Sequence, residues 1–153
     1  MIGMENTAGK GFPENPGAEI VLASQSPRRQ ELLGFLFPRF TVRVSEADET
    51  LPKGIAPDEA VRTLALRKAR AVAPEAPGAL VIGADTVVAI DGLILGKPRD
   101  AADAAGMLRR LSGRTHQVYT GVALLGGGRE ECFHECTGVT FAPLTDGEIA
   151  WYL

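Results

Sequence analysis

An apolar strand, a short polar turn and a proline-led helix follow one another early in this 153-residue chain, and this order most constrains its fold. The strand covers Ile20–Ala23, and residues 24–26 hold two serines, which are favoured helix N-caps. Pro27 suits the first helical position because its missing N–H would be unpaired there anyway. Arg28 and Arg29 then join the free backbone N–H groups of the first turn, where anions bind. The arrangement favours a phosphate or carboxylate site, with a solvated basic turn as the alternative.

The remaining sequence alternates strand and helix signals, which predicts an α/β domain with a mixed, twisted sheet flanked by helices. Apolar runs and turn residues predict strands at residues 20–23, 40–44, 79–83, 87–90, 93–95, 117–125 and 129–141. Helices are predicted from Pro27 to about Leu36, from Pro57 onward, from the cap residue Asp100 to about Leu111, and from the capping box Thr145-Asp146-Gly147-Glu148. Residues 1–18 lack periodicity and are predicted to be a disordered leader, so the domain spans residues 19–153.

The net charge of −3 excludes broad binding to nucleic acid polymers, which requires a basic face. No apolar run reaches the length of a membrane span, and the N-terminal residues lack the layout of a secretory signal. The two cysteines fit a reducing compartment without requiring one. A cytoplasmic protein with no membrane partner is therefore expected, and its functional positive charge is local.

Asp85 lies between two apolar segments, where a carboxylate is costly unless it is paired or bound to a metal ion. It follows a predicted buried strand, at the edge of the sheet where α/β proteins commonly bind ligands. The alternative is a turn aspartate that bonds to its own backbone. Lys68 borders the apolar face of the second helix, four residues after Leu64. It therefore either reaches into a pocket or covers the core with its alkyl stem.

Glu49 belongs to an acidic loop, residues 45–50, and such a loop is most often a solvated turn. Carboxylates that face phosphates need a divalent cation between them, and Mg²⁺ is typically held by one or two carboxylates plus substrate phosphates. Lys97 lies in a segment that superficially resembles a Walker loop. The spacing is one residue short and Pro98 replaces the required Ser or Thr, so a P-loop is excluded.

Cys132, His134 and Cys136 alternate along the last predicted strand and suggest a zinc site. Residues two apart on an extended strand are separated by about 6.5–7 Å, so these three cannot converge on one tetrahedral ion without a bend. A structural role is therefore favoured. His116 has no evident acidic partner, and no Ser–His–Asp arrangement can be argued.

Several of these residues belong to segments that occur in order from Ile20 to the last residue. They are Leu22-Ala23-Ser24-x-Ser26-Pro27-Arg28-Arg29, Glu49, Lys68-Ala69, Gly83-Ala84-Asp85-Thr86-Val87-Val88, Gly96-Lys97-Pro98 and Ser112-Gly113-x-Thr115-His116-x-Val118. Together they resemble the Maf family of nucleotide pyrophosphatases. The resemblance implies an elongated α/β fold with two lobes and a central cleft, similar to that of the inosine triphosphatases.

The resemblance also implies a cytoplasmic enzyme that hydrolyses a nucleoside triphosphate to the monophosphate and pyrophosphate, with Mg²⁺ or Mn²⁺ as its cation. By matching position, the family's functional residues are Ser24, Arg28, Arg29, Glu49, Lys68, Asp85 and Lys97. We expect Asp85, Lys97 and Lys68 to act in catalysis, Ser24, Arg28, Arg29 and Thr86 to bind substrate, and Glu49 and Asp85 to hold the metal. Asp85 is the family's proposed proton acceptor. One cation and four basic side chains could balance the roughly four negative charges of a triphosphate.

Arg28 and the segment Ala84-Asp85-Thr86 resemble the family branch that acts on dTTP and UTP rather than the branch that prefers 7-methyl-GTP. CTP and modified pyrimidine nucleotides are further candidate substrates. Family members continue beyond the position of Leu153, so the resemblance implies a C-terminally truncated domain. The alternatives are a nucleotide-binding regulator of septum formation and cell division with little turnover, and an inactive fragment. An apolar end to the last helix would favour association, with a homodimer as one arrangement.

Overall fold

The computed structural model describes residues 19–153, so the predicted leader lies outside the described residues. The strands in this range are β1 (Ile20–Ala23), β2 (Thr41–Val42), β3 (Leu80–Ile90), β4 (Leu93–Leu95), β5 (Thr115–Gly126) and β6 (Arg129–Thr140). The helices are α1 (Pro27–Gly34), α2 (Pro57–Val72), α3 (Ala101–Leu111) and α4 (Asp146–Tyr152), and a short 3₁₀ turn (Ala73–Glu75) follows α2. None of the helices in the described range is long and apolar enough to cross a membrane.

The strands form one mixed sheet, which confirms the predicted α/β class. Its order is β2-β1-β3-β5-β6, with β4 paired to β3 outside this path. Strand β1 is parallel to both β2 and β3, whereas β5 is antiparallel to β3 and to β6. Strand β4 returns antiparallel to β3 through a tight turn in which Asp91 has φ 54° and Gly92 has φ 77°. The Asp91-Gly92 pair predicted this hairpin, because both turn positions require a positive φ.

The two faces of the sheet have separate apolar cores. On one face, Ala65, Ala69 and Val72 of α2 pack with side chains from β1, β3 and β5, among them Val21 and Val81. On the other face, Leu33 of α1 packs with Ile20, Leu22, Leu80 and Ile82. Since successive strand residues point to opposite faces, β1 and β3 contribute alternate side chains to the two cores. All four residues of β1 are buried for this reason.

Two glycines bring α2 unusually close to the sheet. A Cβ atom at Gly83 would collide with the backbone carbonyl of Ala65, and one at Gly121 would collide with the backbone of Val61. Only glycine leaves room for the helix backbone at these positions. Helix α2 is therefore held directly against β3 and β5, and its side chains lie within reach of their polar residues.

The helix starts are those that the sequence predicts. Ser26, Asp100 and Thr145 cap α1, α3 and α4 through side-chain oxygens that accept backbone N–H groups, and Thr145 and Glu148 form the full capping box. Helix α1 ends at Gly34, two residues before the predicted end, and β2 covers only the centre of the predicted strand 40–44. Helix and strand ends are the part of a fold that local sequence patterns define least well.

The predicted break between strands 79–83 and 87–90 is wrong, because β3 runs without interruption from Leu80 to Ile90. The reason is its partner β5, which pairs with every β3 residue from Val81 to Ala89 and keeps the chain extended past Asp85. Asp85 is therefore a strand residue, and the alternative of a turn aspartate is excluded.

Candidate active site

The edge of β3 opposite β5 is open over residues 84–87, and we call this gap the β3 notch. Along this edge β1 pairs with β3 as far as Ala23 opposite Gly83. Strand β4 also pairs with this edge, because β5 occupies the other one. Its pairing begins with Leu95 opposite Val88. Residues 84–87 thus have a strand partner on one side only, within the part of the chain that the structure describes. The two polar side chains of the β3 notch belong to Asp85 and Thr86.

Asp85 extends toward α2 and forms an ion pair with Lys68. The distance from Lys68 Nζ to Asp85 Oδ1 is 2.7 Å, and the two side chains are only 16% and 13% exposed. The second oxygen of Asp85 has no hydrogen-bond partner among residues 19–153. The ion pair rules out the turn aspartate as an interpretation of Asp85. It also shows that Lys68 does more than cover the core.

Thr86 extends to the opposite face of the sheet, where Arg29 reaches it. Arg29 Nη2 donates a hydrogen bond to Thr86 Oγ1 at 2.7 Å, and Thr86 also shares a hydrogen bond of 3.1 Å with Thr120. The backbone N–H of Arg29 donates to the cap oxygen of Ser26 at 3.3 Å. The first turn of α1 is therefore attached to the β3 notch through Arg29.

Ser24 and Arg28 lie in the turn between β1 and α1. Ser24 is buried, and its hydroxyl oxygen accepts a hydrogen bond from the backbone N–H of Ser26 at 3.1 Å, which shapes the approach to the helix. Arg28 is exposed, and its side chain makes no ion pair or hydrogen bond within residues 19–153. Its guanidinium group is therefore available to an anion at the start of α1, where the helix dipole also favours negative charge.

The acidic loop, residues 45–50, is attached to α2 by Arg67. Nη1 of Arg67 donates hydrogen bonds to the backbone carbonyl oxygens of Asp48, at 3.1 Å, and of Thr50. Hydrogen bonds from the side chain and backbone of Thr50, and then the charge of Arg67, lower the pKa of Asp48. Glu49 lies between the two anchored residues and its exposed carboxylate makes no ion pair in the described range. The contact made by Arg67 was not predicted, because it joins segments that are far apart in the sequence.

Lys97 is exposed, and within residues 19–153 it contacts neither Asp85 nor any other acidic group. It follows β4, which runs back along β3 from Leu93 opposite Ile90 to Leu95 opposite Val88. The chain thus leaves β4 in the direction of the β3 notch. A pocket of about 330 Å³ lies beside this segment, between β4 and α3, and Leu95, Gly96, Met107 and Arg110 contribute to its lining.

The carboxylates of Asp85 and Glu49 have the donor chemistry that the predicted divalent cation requires. Among residues 19–153, one carboxylate oxygen of Asp85 and both of Glu49 have no hydrogen-bond partner, so both residues present the oxygen ligands that Mg²⁺ and Mn²⁺ prefer. No group of three or more His, Cys, Asp or Glu residues able to hold a metal ion occurs in residues 19–153. A cation with two protein ligands would therefore depend on water and substrate phosphates for its other ligands.

Two of the three side chains considered for zinc, those of Cys132 and His134, have other partners. His134 Nδ1 lies 2.7 Å from Nη1 of Arg62, and the Cys132 thiol donates to the Arg62 backbone oxygen at 3.4 Å. Burial raises the pKa of the Cys132 thiol, which disfavours a thiolate ligand. His116 is buried against Phe141, and its Nδ1 has no hydrogen-bond partner in the described range. The contacts of Cys132 and His134 agree with a structural role for these two residues.

Comparison with known proteins places this chain in a family. The family described as Maf-like protein matches residues 19–153. The chain is 56% identical to the dTTP/UTP pyrophosphatase of Symbiobacterium thermophilum, over 88% of the chain and 70% of that protein. It is 55% identical to the dTTP/UTP pyrophosphatase of Salinibacter ruber (88% and 67% covered) and 51% identical to that of Bacillus velezensis (88% and 71% covered).

The fold also resembles that of a solved structure with low sequence identity. The Staphylococcus aureus Ham1 protein superimposes with a TM-score of 0.57 at 19% identity, covering 78% of this chain and 70% of that protein. This likeness concerns the fold alone and supports the predicted α/β architecture. Because the family match spans every described residue and the relatives share half or more of their aligned residues, the chain belongs to the Maf-like protein family.

Proposed function

We propose that this chain is a nucleoside triphosphate pyrophosphatase that hydrolyses dTTP and UTP to the nucleoside monophosphate and pyrophosphate. The names of its relatives support this activity and do not favour the alternative of a regulator with little turnover. CTP and modified pyrimidine nucleotides are further candidate substrates. In this proposal the triphosphate lies across the β3 notch.

The observation that carries the proposal is the pair of contacts made at adjacent residues of β3. Asp85 binds Lys68 from α2 on one face of the sheet, and Thr86 binds Arg29 from α1 on the other. The open strand edge would give a ligand access to both faces at this point, because no strand among residues 19–153 pairs with residues 84–87 on that side. An anionic ligand at the notch would meet basic groups from two helices.

Charge neutralisation is the main task of such a site, since phosphoryl transfer is catalysed chiefly by positioning and electrostatic stabilisation. Arg28 and Arg29 would bind phosphate oxygens together with the free N–H groups at the start of α1. Lys97 is exposed and pairs with no acidic group among residues 19–153, so it would join them. Lys68 would hold Asp85 in place and meet the charge that develops on the leaving group. Ser24 would support the turn that carries both arginines.

Asp85 is the proposed general base. Its free carboxylate oxygen would orient a water molecule and accept its proton as the water oxygen attacks the α-phosphorus. The bond between the α-phosphorus and the bridging oxygen would break, and pyrophosphate would leave. Asp85 and Glu49 would hold Mg²⁺ or Mn²⁺, which supplies positive charge to the phosphate oxygens when bound. No step requires a covalent intermediate on the protein.

The direct test is product analysis with purified protein. The chain is incubated with dTTP, UTP, CTP and 7-methyl-GTP, each with Mg²⁺ or Mn²⁺, and pyrophosphate is measured separately from orthophosphate. The proposal expects pyrophosphate and monophosphate in equal amounts, with dTTP and UTP turned over fastest. Release of orthophosphate, or tight nucleotide binding without turnover, would contradict it.

A cytoplasmic location belongs to the same proposal, because nucleoside triphosphates occur there and the two cysteines, Cys132 and Cys136, are free thiols. Neither a nucleic acid polymer nor a membrane is a proposed partner. Association through the exposed end of α4, where Trp151 is 86% exposed, would produce a homodimer, which analytical ultracentrifugation would detect.

A further inference from the structure

Arg67 makes every hydrogen bond that ties the acidic loop to another element within residues 19–153. Its Nη1 donates to the carbonyl oxygens of Asp48 and Thr50, the neighbours of Glu49 on either side. The remaining hydrogen bonds of the loop stay inside it. The Ser45 hydroxyl accepts from the N–H of Ala47, and the Asp48 carboxylate accepts from the N–H of Thr50. Within the described residues, the hydrogen bonds that hold the loop around Glu49 to α2 therefore come from one guanidinium group.

Arg67 binds backbone oxygens of the acidic loop rather than its carboxylates. The loop offers three carboxylates, those of Glu46, Asp48 and Glu49, and an arginine needed only for its charge would pair with one of them. Arg67 binds two backbone oxygens instead. The carboxylate of Glu49 thus has no partner in the part of the chain that the structure describes, while the backbone on both sides of it is held by hydrogen bonds. This is the arrangement expected of a group that orients a ligand without competing for it.

Arg67 also precedes Lys68, the residue that binds Asp85. Consecutive residues of an α-helix project about 100° apart, so this turn of α2 reaches the acidic loop with one side chain and β3 with the next. The turn is itself held rigidly, because Ala65 and Ala69 on either side of it pack against Gly83. One helical turn thus sets the position of both predicted metal-binding carboxylates.

We infer that Arg67 is a positioning residue that fixes Glu49 relative to Asp85 and so completes the cation site. The inference rests on the proposed function, because that function supplies the cation. The hydrogen bonds between Arg67 and the acidic loop do not depend on it. Residues that orient metal ligands typically change metal affinity by 10–100-fold when they are replaced. Loss of the Arg67 side chain should therefore weaken cation binding by about tenfold through Glu49.

The test uses Mn²⁺ alone as the probe and compares matched variants. Arg67→Met removes both hydrogen bonds to the loop. Arg70→Met is the control, because Arg70 lies on the same helix but pairs with Glu130 of β6 at 2.6 Å. Mn²⁺ affinity is measured from the electron paramagnetic resonance signal of the free ion, and hydrogen exchange of the loop amides is measured without metal or nucleotide.

The expected result is a Mn²⁺ dissociation constant about tenfold higher in Arg67→Met, with faster exchange at the Thr50 amide and no change in Arg70→Met. In a Glu49→Gln background, Arg67→Met should add little, because the two residues act as one unit. Arg67→Lys should restore much of the affinity, since Nη1 alone makes both bonds and an ammonium group can replace it.

Three results would overturn the inference: unchanged Mn²⁺ affinity in Arg67→Met, an equal loss in Arg70→Met, or full additivity with Glu49→Gln. Wild-type protein that binds no Mn²⁺ at all would overturn it as well. Protein that binds Mn²⁺ as expected but does not hydrolyse dTTP would contradict the proposed function and leave the role of Arg67 in cation binding supported.

Discussion

Lys68 and Asp85 form a short ion pair of 2.7 Å that joins helix α2 to strand β3 across 17 residues of sequence. Both side chains are largely buried, yet the second carboxylate oxygen of Asp85 makes no hydrogen bond in the described range. The lysine thus fixes the orientation of the carboxylate and leaves one oxygen for a ligand. A purely structural ion pair would be expected to use both oxygens more fully.

Replacement of Asp85 by Asn should reduce the turnover of dTTP by roughly 10²-fold or more, because the amide cannot accept a proton from water. The fold should survive, since Asn keeps the size and one oxygen for Lys68. Steady-state pyrophosphate release and circular dichroism check the two halves of this prediction. Asp91→Asn is the matched control, because Asp91 lies in the β3–β4 turn, pairs with exposed Arg114, and has a φ of 54° that Asn tolerates. Equal turnover in the two variants would remove Asp85 from catalysis.

Replacement of Thr86 by Val should raise the KM for dTTP by about 2–10-fold with little change in kcat, because Arg29 loses the hydroxyl that orients it. The shape of the side chain is kept and β-branched residues suit a strand. Thr140→Val is the control, since Thr140 shares a similar hydroxyl contact with Thr115 at 2.7 Å between β5 and β6. A KM that rises equally in both variants would show a general effect on the sheet instead.

The local sequence predicts most of the secondary structure and the identity of the candidate residues. Capping residues, Pro27 and the spacing of apolar residues in α2 are local signals, and each helix begins where they indicate. The continuity of β3 could not be predicted in this way, because pairing with β5 keeps Asp85 in an extended strand. A polar residue between apolar runs has the same local pattern in a strand as in a turn.

The sequence could not predict the side-chain contacts of the candidate site, for a related reason. Arg29 and Thr86 are 57 residues apart, and Arg67 lies 17 residues from Thr50. The sequence indicates that each residue type suits an anion or cation site. Only the sheet register shows that Asp85 and Thr86 share an open strand edge and receive partners from opposite faces.

The capping box of α4 should make part of the stability of the protein dependent on pH. Hydrogen bonds from the backbone and side chain of Thr145 lower the pKa of Glu148 below its usual value. A carboxyl group with a lowered pKa in the folded state stabilises that state above its unfolded pKa and ceases to do so as the pH falls through the folded value. Glu148→Gln keeps the capping geometry without the charge.

Wild-type protein should therefore unfold at a higher urea concentration than Glu148→Gln at neutral pH, and the difference in urea midpoint should shrink below about pH 4.5. A constant difference from pH 7 to pH 3 would contradict this.

The close approach of α2 to the sheet at Gly83 gives a prediction about stability and activity together. Gly83→Ala would place a methyl group against the backbone carbonyl of Ala65, where the surroundings are backbone and cannot move aside easily. We expect a loss of about 1–3 kcal/mol in the free energy of unfolding, measured by urea titration. Because α2 carries Lys68 and Arg67, its displacement should also weaken cation binding.

Gly106→Ala on α3 is the control. An added Cβ there meets no atom within 4 Å, so it should raise stability by about 0.5–1 kcal/mol through helix propensity. Unchanged stability in Gly83→Ala would show that α2 is not held against the sheet as described.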